Sequence, residues 1–183
     1  MKDLAILLLG MLLFVKGYPQ PQNCDYYLNE VDKFDGNTKV ITNEKGVGSG
    51  SVGAYKFSLY RTYSEKNKTD VKMLIVTFQS FSTNTTWCTK PKSNLIFLLN
   101  DDTKVTLICE SKIDCNSKSL SLNYSLFNKD IEKLKKTPLK AFRISFSDGY
   151  DDCDVAEQYY DDENNLYSPT KYFIDNINCL FVK

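Results

Sequence analysis

Histidine is absent from all 183 residues, and tryptophan occurs once. Without an imidazole, the Ser–His–Asp triad and the Cys–His pair have no base, and the commonest metal ligand is missing. No G-x-S-x-G stretch occurs, so the strained turn that presents a nucleophilic serine in α/β-hydrolases is lacking too. There is no C-x-x-C pair, which removes the usual thiolate signature of zinc sites. No apolar run reaches the roughly 18 residues that mark a transmembrane helix. Neither charge sign is in excess, with 23 basic and 23 acidic residues. That balance does not favour nucleic acid or an anionic membrane as partner. Proline and glycine are sparse at 5 and 8, and no internal repeat is visible.

What is present begins with a leader pattern. Lys2 supplies a positive start, Leu4–Val15 is apolar, and Gly17 is a small residue at its end. Residues 1–17 therefore read as a signal peptide and 18–23 as a short extended lead-in, followed by one domain over 24–183. Lys2, Lys16 and Asp3 leave with the leader, so the formal charge moves from 0 to about −1. No transmembrane segment remains in the mature chain, whose expected location is exported, either periplasmic or secreted. All six cysteines, Cys24, Cys88, Cys109, Cys115, Cys153 and Cys179, lie after the leader. An even number in an exported chain predicts up to three disulfides. Six cysteines allow 15 pairings, so the sequence leaves connectivity open; the expected pairs are Cys109–Cys115, nearest in sequence, as a small staple, and Cys153–Cys179 as a tie between an acidic loop and the C-terminal helix.

Period-two alternation dominates the middle of the chain. Leu120, Leu122, Tyr124 and Leu126 alternate with Ser119, Ser121, Asn123 and Ser125, and Phe142, Ile144 and Phe146 repeat the pattern. Between these strands, Asn128 offers an N-cap, Ile131 and Leu134 share a helical face, and Pro138 ends the helix. Lys133, Lys135 and Lys136 suit the helix dipole and need no anion to explain them. Hairpins are expected around Asp35-Gly36-Asn37 and Asn100-Asp101-Asp102, with further strands at Ala54–Tyr63 and Val71–Phe81. The apolar run Met73–Val76 predicts a central strand covered on both faces. Ser168-Pro169 starts a terminal helix that carries Phe173, Ile177, Leu180 and Phe181 on one face. The fold class is mostly β (α+β): an antiparallel sheet or two-sheet sandwich of about eight strands with two short helices.

Two stretches invite a chemical reading. Gly48-Ser49-Gly50-Ser51-Val52-Gly53 matches G-x-G-x-x-G, but a strand follows it where a dinucleotide site needs a helix, so it reads as a turn. Asp148–Thr170 is acidic, rich in tyrosine and without periodicity. Asp148, Asp151, Asp152, Asp154 and Glu163 are candidate Ca²⁺ ligands, because Ca²⁺ takes six to eight oxygens. An EF-hand register starting at Asp152 places Glu163 at its last position but Glu157 where the loop requires glycine. Tyr150, Tyr159, Tyr160 and Tyr167 form a candidate recognition surface, since tyrosine gives large contact area at low entropy cost. No other cofactor is indicated, and no catalytic residue is assigned.

The leader into Cys24, the Asn29–Asp32 and Asp35-Gly36 hairpin, the Lys136–Leu139 turn and the Tyr172-Phe173…Cys179-Leu180 ending resemble small uncharacterised exported β-rich proteins of Gram-negative bacteria. The resemblance names no family with an activity and implies no site residues. The sequence is therefore expected to encode a non-enzymatic exported domain that binds an unknown protein or glycan partner, or forms part of a cell-envelope assembly. The alternatives are a secreted inhibitor or Ca²⁺-dependent module using the acidic loop, and a small carboxylate-based hydrolase.

Overall fold

The computed structural model describes residues 24–161 and 164–181. The expected signal peptide, the lead-in segment and Glu163 lie outside the described residues. The chain is mostly β and antiparallel, with two short α-helices, as its alternation predicts. In order it forms β1 (Tyr26–Val31), β2 (Thr38–Thr42), β3 (Lys45–Ser49), β4 (Gly53–Ser64) and β5 (Thr69–Ser80). Next come β6 (Trp87–Cys88), β7 (Asn94–Leu99), β8 (Lys104–Ile108), β9 (Cys115–Asn116) and β10 (Ser119–Ser125). Helix α1 (Asn128–Leu134) leads to β11 (Leu139–Phe146) and β12 (Gly149–Val155). The small hairpin β13 (Tyr159–Tyr160) and β14 (Leu166–Tyr167) precedes a terminal helical segment, with α2 (Tyr172–Asn176) between two 3-10 turns, Pro169–Lys171 and Ile177–Phe181.

Ten strands form one sheet. The long strand β4 pairs with β5 along its whole length; on its other edge β3 takes the Ala54–Phe57 half and β2 the Tyr60–Tyr63 half. From β3 the sheet runs through β12, β11 and β7 to β8, and from β5 it runs to β10. The two ends meet where Cys109, just past β8, bridges Tyr124 on β10, and Glu110 N–H donates to the Asn123 carbonyl at 2.7 Å. The circuit β3-β4-β5-β10-β8-β7-β11-β12 is thus a closed antiparallel barrel. Closure removes the unpaired edges that an open sheet of this size would expose. The β1–β2 hairpin projects from it, turning at Gly36 (φ +70°) and carrying a fully exposed Phe34.

Strand alternation fills the interior. Tyr55, Phe57 and Leu59 of β4 face Leu74, Val76 and Phe78 of β5, with Leu95, Phe97 and Leu99, Leu120, Leu122 and Tyr124, and Phe142, Ile144 and Phe146 from the remaining strands. Rings crowd this space: Phe57 lies 5.4–6.1 Å from Phe142, Tyr172, Phe97 and Phe173. The terminal helical segment therefore plugs the barrel, with Tyr172, Phe173, Ile177 and Leu180 buried. Phe181, expected on that buried face, is instead part-exposed and lies under the Arg61 guanidinium at 5.1 Å. Near the Gly53 end of β4, Trp87 packs on Phe78 and Phe146. The second face of β5 is only half covered, since Met73 and Ile75 stay part-exposed beside buried Leu74 and Val76. The residue before the first helical turn is Phe127, not Asn128; its N–H faces the Asp130 carboxylate, and the Asn128 side-chain Oδ1 accepts from Lys72 Nζ.

The disulfide pairing differs from the expected one. Cys24 joins Cys179, and Cys88 joins Cys115; Cys109 and Cys153 are free and buried. The physical reason is strand direction. Cys109 and Cys153 sit at inward positions among core side chains. Cys115 lies directly opposite Cys88 in the β6–β9 pair. Cys24 reaches the terminal helical segment, where Tyr26 Oη also donates to the Cys179 carbonyl at 2.9 Å.

Candidate functional site

The stretch from Asp148 onward is not aperiodic. Ser147 and Asp148 make a tight turn, and β12 follows with Asp151, Cys153 and Val155 inward and Asp152 and Asp154 outward. The alternation is hidden in sequence because one inward position holds a carboxylate. Asp151 is 2% exposed. It accepts hydrogen bonds from Ser51 N–H at 2.9 Å, Ser51 Oγ at 2.8 Å and Tyr55 Oη at 2.8 Å, with the Cys153 thiol at 3.8 Å. Several donors are what a buried carboxylate requires. Burial, then the neighbouring Cys153 and Asp151, push the Tyr55 phenol far above its ordinary value. Burial and then Asp151 raise the Cys153 thiol likewise, which keeps it protonated and a poor nucleophile.

The glycine-rich stretch finds its role here. It is the β3–β4 turn, closed by Gly50 N–H to the Gly53 carbonyl at 2.9 Å. A Cβ on Gly50 would sit 2.1 Å from Asp151 Oδ2. A dinucleotide loop uses such glycines to approach a phosphate, whereas this one wraps the chain's own carboxylate.

Of the candidate Ca²⁺ ligands, the four that are described, Asp148, Asp151, Asp152 and Asp154, are not brought together. Asp151 points into the barrel, while Asp152 and Asp154 point out. Asp152 is held by Arg143 through two bonds of 2.6 and 2.7 Å, and Arg143 draws its carboxyl below the usual range. Asp148 is exposed at its turn. Among the described residues, no group of three or more acidic or cysteine side chains is placed to hold a metal ion. The four tyrosines also separate. Tyr150 lies exposed under the Arg143 guanidinium at 4.2 Å, remote in register from the rest. Tyr159 and Tyr167 face each other across the β13–β14 hairpin with ring centroids 5.9 Å apart, and Tyr160 is exposed beside them.

That hairpin walls a groove. Tyr167 Oη donates to the Gly46 carbonyl, and Lys45 lies 5.6 Å over the Tyr167 ring. The Tyr159 ring packs against Gly46, where a Cβ would come within 2.6 Å of it. The floor is the outer face of the β4–β5 ladder, whose register pairs Ala54 with Gln79, Lys56 with Thr77 and Ser58 with Ile75. The opposite wall is Asp25, Tyr27 and Ile41–Lys45. The main basin is an open cleft of about 980 Å³. A second, of about 370 Å³ and bounded by Gln79, Lys118, Ser119 and Tyr159, shares Glu44 and Lys56 with it. Glu44 accepts from Thr77 Oγ1, and among the described residues Lys56 has no carboxylate in ion-pair range. Sequence reasoning found Tyr159 and Tyr167 but missed the floor, because outward polar residues on a strand read only as a wet face.

Fold and site together define a packed antiparallel barrel with a helical plug and an external polar groove. No family model, curated protein or solved structure matches the chain.

Proposed function

We propose that this is a non-enzymatic exported domain that binds a ligand or partner in the groove beneath the β13–β14 hairpin. The observation that carries the reading is the groove itself: an open cleft of about 980 Å³, with tyrosines on its walls and a floor that is polar except at Ile75. Binding clefts combine shape with a few convergent polar groups in this way. The barrel interior is filled by Tyr55, Phe57, Phe78, Phe97, Phe146 and Phe173, which leaves the outside as the working surface. Two disulfides fit an oxidising, exported setting, and no helix among the described residues is long and apolar enough to cross a membrane. A fragment library screened by saturation-transfer NMR tests the reading. Hits should be lost in Lys56→Trp, which fills the junction of the two basins, and kept in Lys136→Trp on α1's exposed end. Hits indifferent to Lys56→Trp would contradict it.

A further inference from the structure

Taking the groove as the binding site, we propose that its ligand is a neutral, linear oligosaccharide lying along the β4–β5 face. The floor is a sheet face and not an edge. Lys56 sits between Gly46 of β3 and Thr77 of β5, so the ladder on both sides already occupies the backbone there. An extended peptide gains most of its affinity from strand addition at an open edge, and this floor offers none. Recognition falls to side chains: the Thr77 hydroxyl, the Gln79 amide, the Asp25, Glu44 and Asp161 carboxylates and the Lys45, Lys56 and Lys118 ammonium groups. Hydroxyls and amides each donate and accept, and the three carboxylates and three ammonium groups, interspersed around the groove, balance to no net charge. That set complements a ligand made of hydroxyl groups, each also donor and acceptor. A polyanion would need a row of cations, and an acyl chain an apolar floor.

The rim supplies the other half of sugar recognition. Tyr27 is 77% exposed and Tyr159 39%. Their ring faces offer flat apolar area, with little entropy to lose, against the C–H side of a pyranose. The two basins adjoin, with Glu44 and Lys56 in the lining of both. Two adjoining basins suit a ligand several sugar units long better than a single unit.

The test uses the full mature chain with its disulfides formed. An array of neutral tri- to hexasaccharides of glucose, galactose, mannose and N-acetylglucosamine is probed, and the best binder is titrated by calorimetry. A phage-displayed random peptide library is panned in parallel. Expected is saturable oligosaccharide binding that weakens by about tenfold or more in Lys56→Ala and in Tyr159→Ala, at unchanged melting temperature, and is unaltered in Lys136→Ala. Peptides selected and lost in Lys56→Ala, with no sugar bound, would overturn the oligosaccharide and keep the groove. Sugar binding indifferent to both groove variants would overturn this placement. Binding of neither probe at millimolar concentration would overturn both the ligand class and the groove as a site.

Discussion

Asp151 is the residue on which the Gly50 end of the barrel turns. A carboxylate that is 2% exposed and holds Ser51 and Tyr55 fixes the β3–β4 turn to β12. Asp151→Ala leaves those donors unpaired and should lower unfolding free energy by roughly 2–4 kcal/mol in urea titrations. Gly50→Ala pushes a methyl group into the same carboxylate and should cost about 1–3 kcal/mol. A change under about 0.5 kcal/mol in either variant would contradict this account. The pH limbs have different owners. Asp70 is drawn below the ordinary aspartate value of 3.8: burial, which alone would raise it, is outweighed by hydrogen bonds from Arg61 and Lys72. Its unfolded state then binds more protons, so its stabilisation is complete above about pH 4 and fades as pH falls toward the lower folded value. Asp70 is a third exposed, so the effect is modest. Tyr55 and Cys153 are both raised, so the unfolded chain loses its proton first on the alkaline side. Stability should therefore decline as pH rises past about 9 to 10, and thermal melts at stepped pH should show a steeper alkaline than acid limb. Equal limbs would count against the buried cluster.

At the scale of elements, the terminal helical segment is held by its plug of rings, by Cys24–Cys179, and by Arg61, whose guanidinium donates to the Leu180 carbonyl at 3.0 Å. The disulfide spans 155 residues, a long loop in the unfolded chain. Cys24→Ala with Cys179→Ala should cost roughly 2–5 kcal/mol without changing the far-ultraviolet spectrum. An unaltered melting temperature would show that the rings alone suffice. Much of this level was legible in the sequence. β4, β10 and β11 follow from alternation, β5 from its apolar run, β7 and β8 from the Asn100-Asp101-Asp102 turn between them, and α1 from Ile131, Leu134 and Pro138. β3 was not, because Gly46 and Gly48 give no hydrophobic signal: their small size serves the close approach of Tyr159 and of the Asp154 carbonyl. β12 was hidden by the inward carboxylate, and β13 and β14 are too short for any period to register. The disulfides were out of reach because chain spacing does not reveal which way a strand side chain points.

For the whole molecule, closure is what separates structure from function. One bridge, Cys109 to Tyr124, turns a ten-stranded sheet into a filled barrel and leaves the outer β4–β5 face as the open concave surface. Sequence patterning announced the sheet but not its closure, since the bridge joins β8 to β10, two strands not adjacent in the chain. The groove was half legible: Tyr159 and Tyr167 stand out by composition, whereas Lys56, Ser58 and Thr77 acquire meaning only once the hairpin is folded over them. The most direct test of the groove as the binding site is amide chemical-shift mapping during titration with the best-binding oligosaccharide. The predicted result is a set of perturbations confined to residues 25–27, 41–46, 54–58, 75–79, 118–119, 159–161 and 164–167. Perturbations centred on the Phe34 hairpin tip or on Tyr150, with those segments silent, would contradict it.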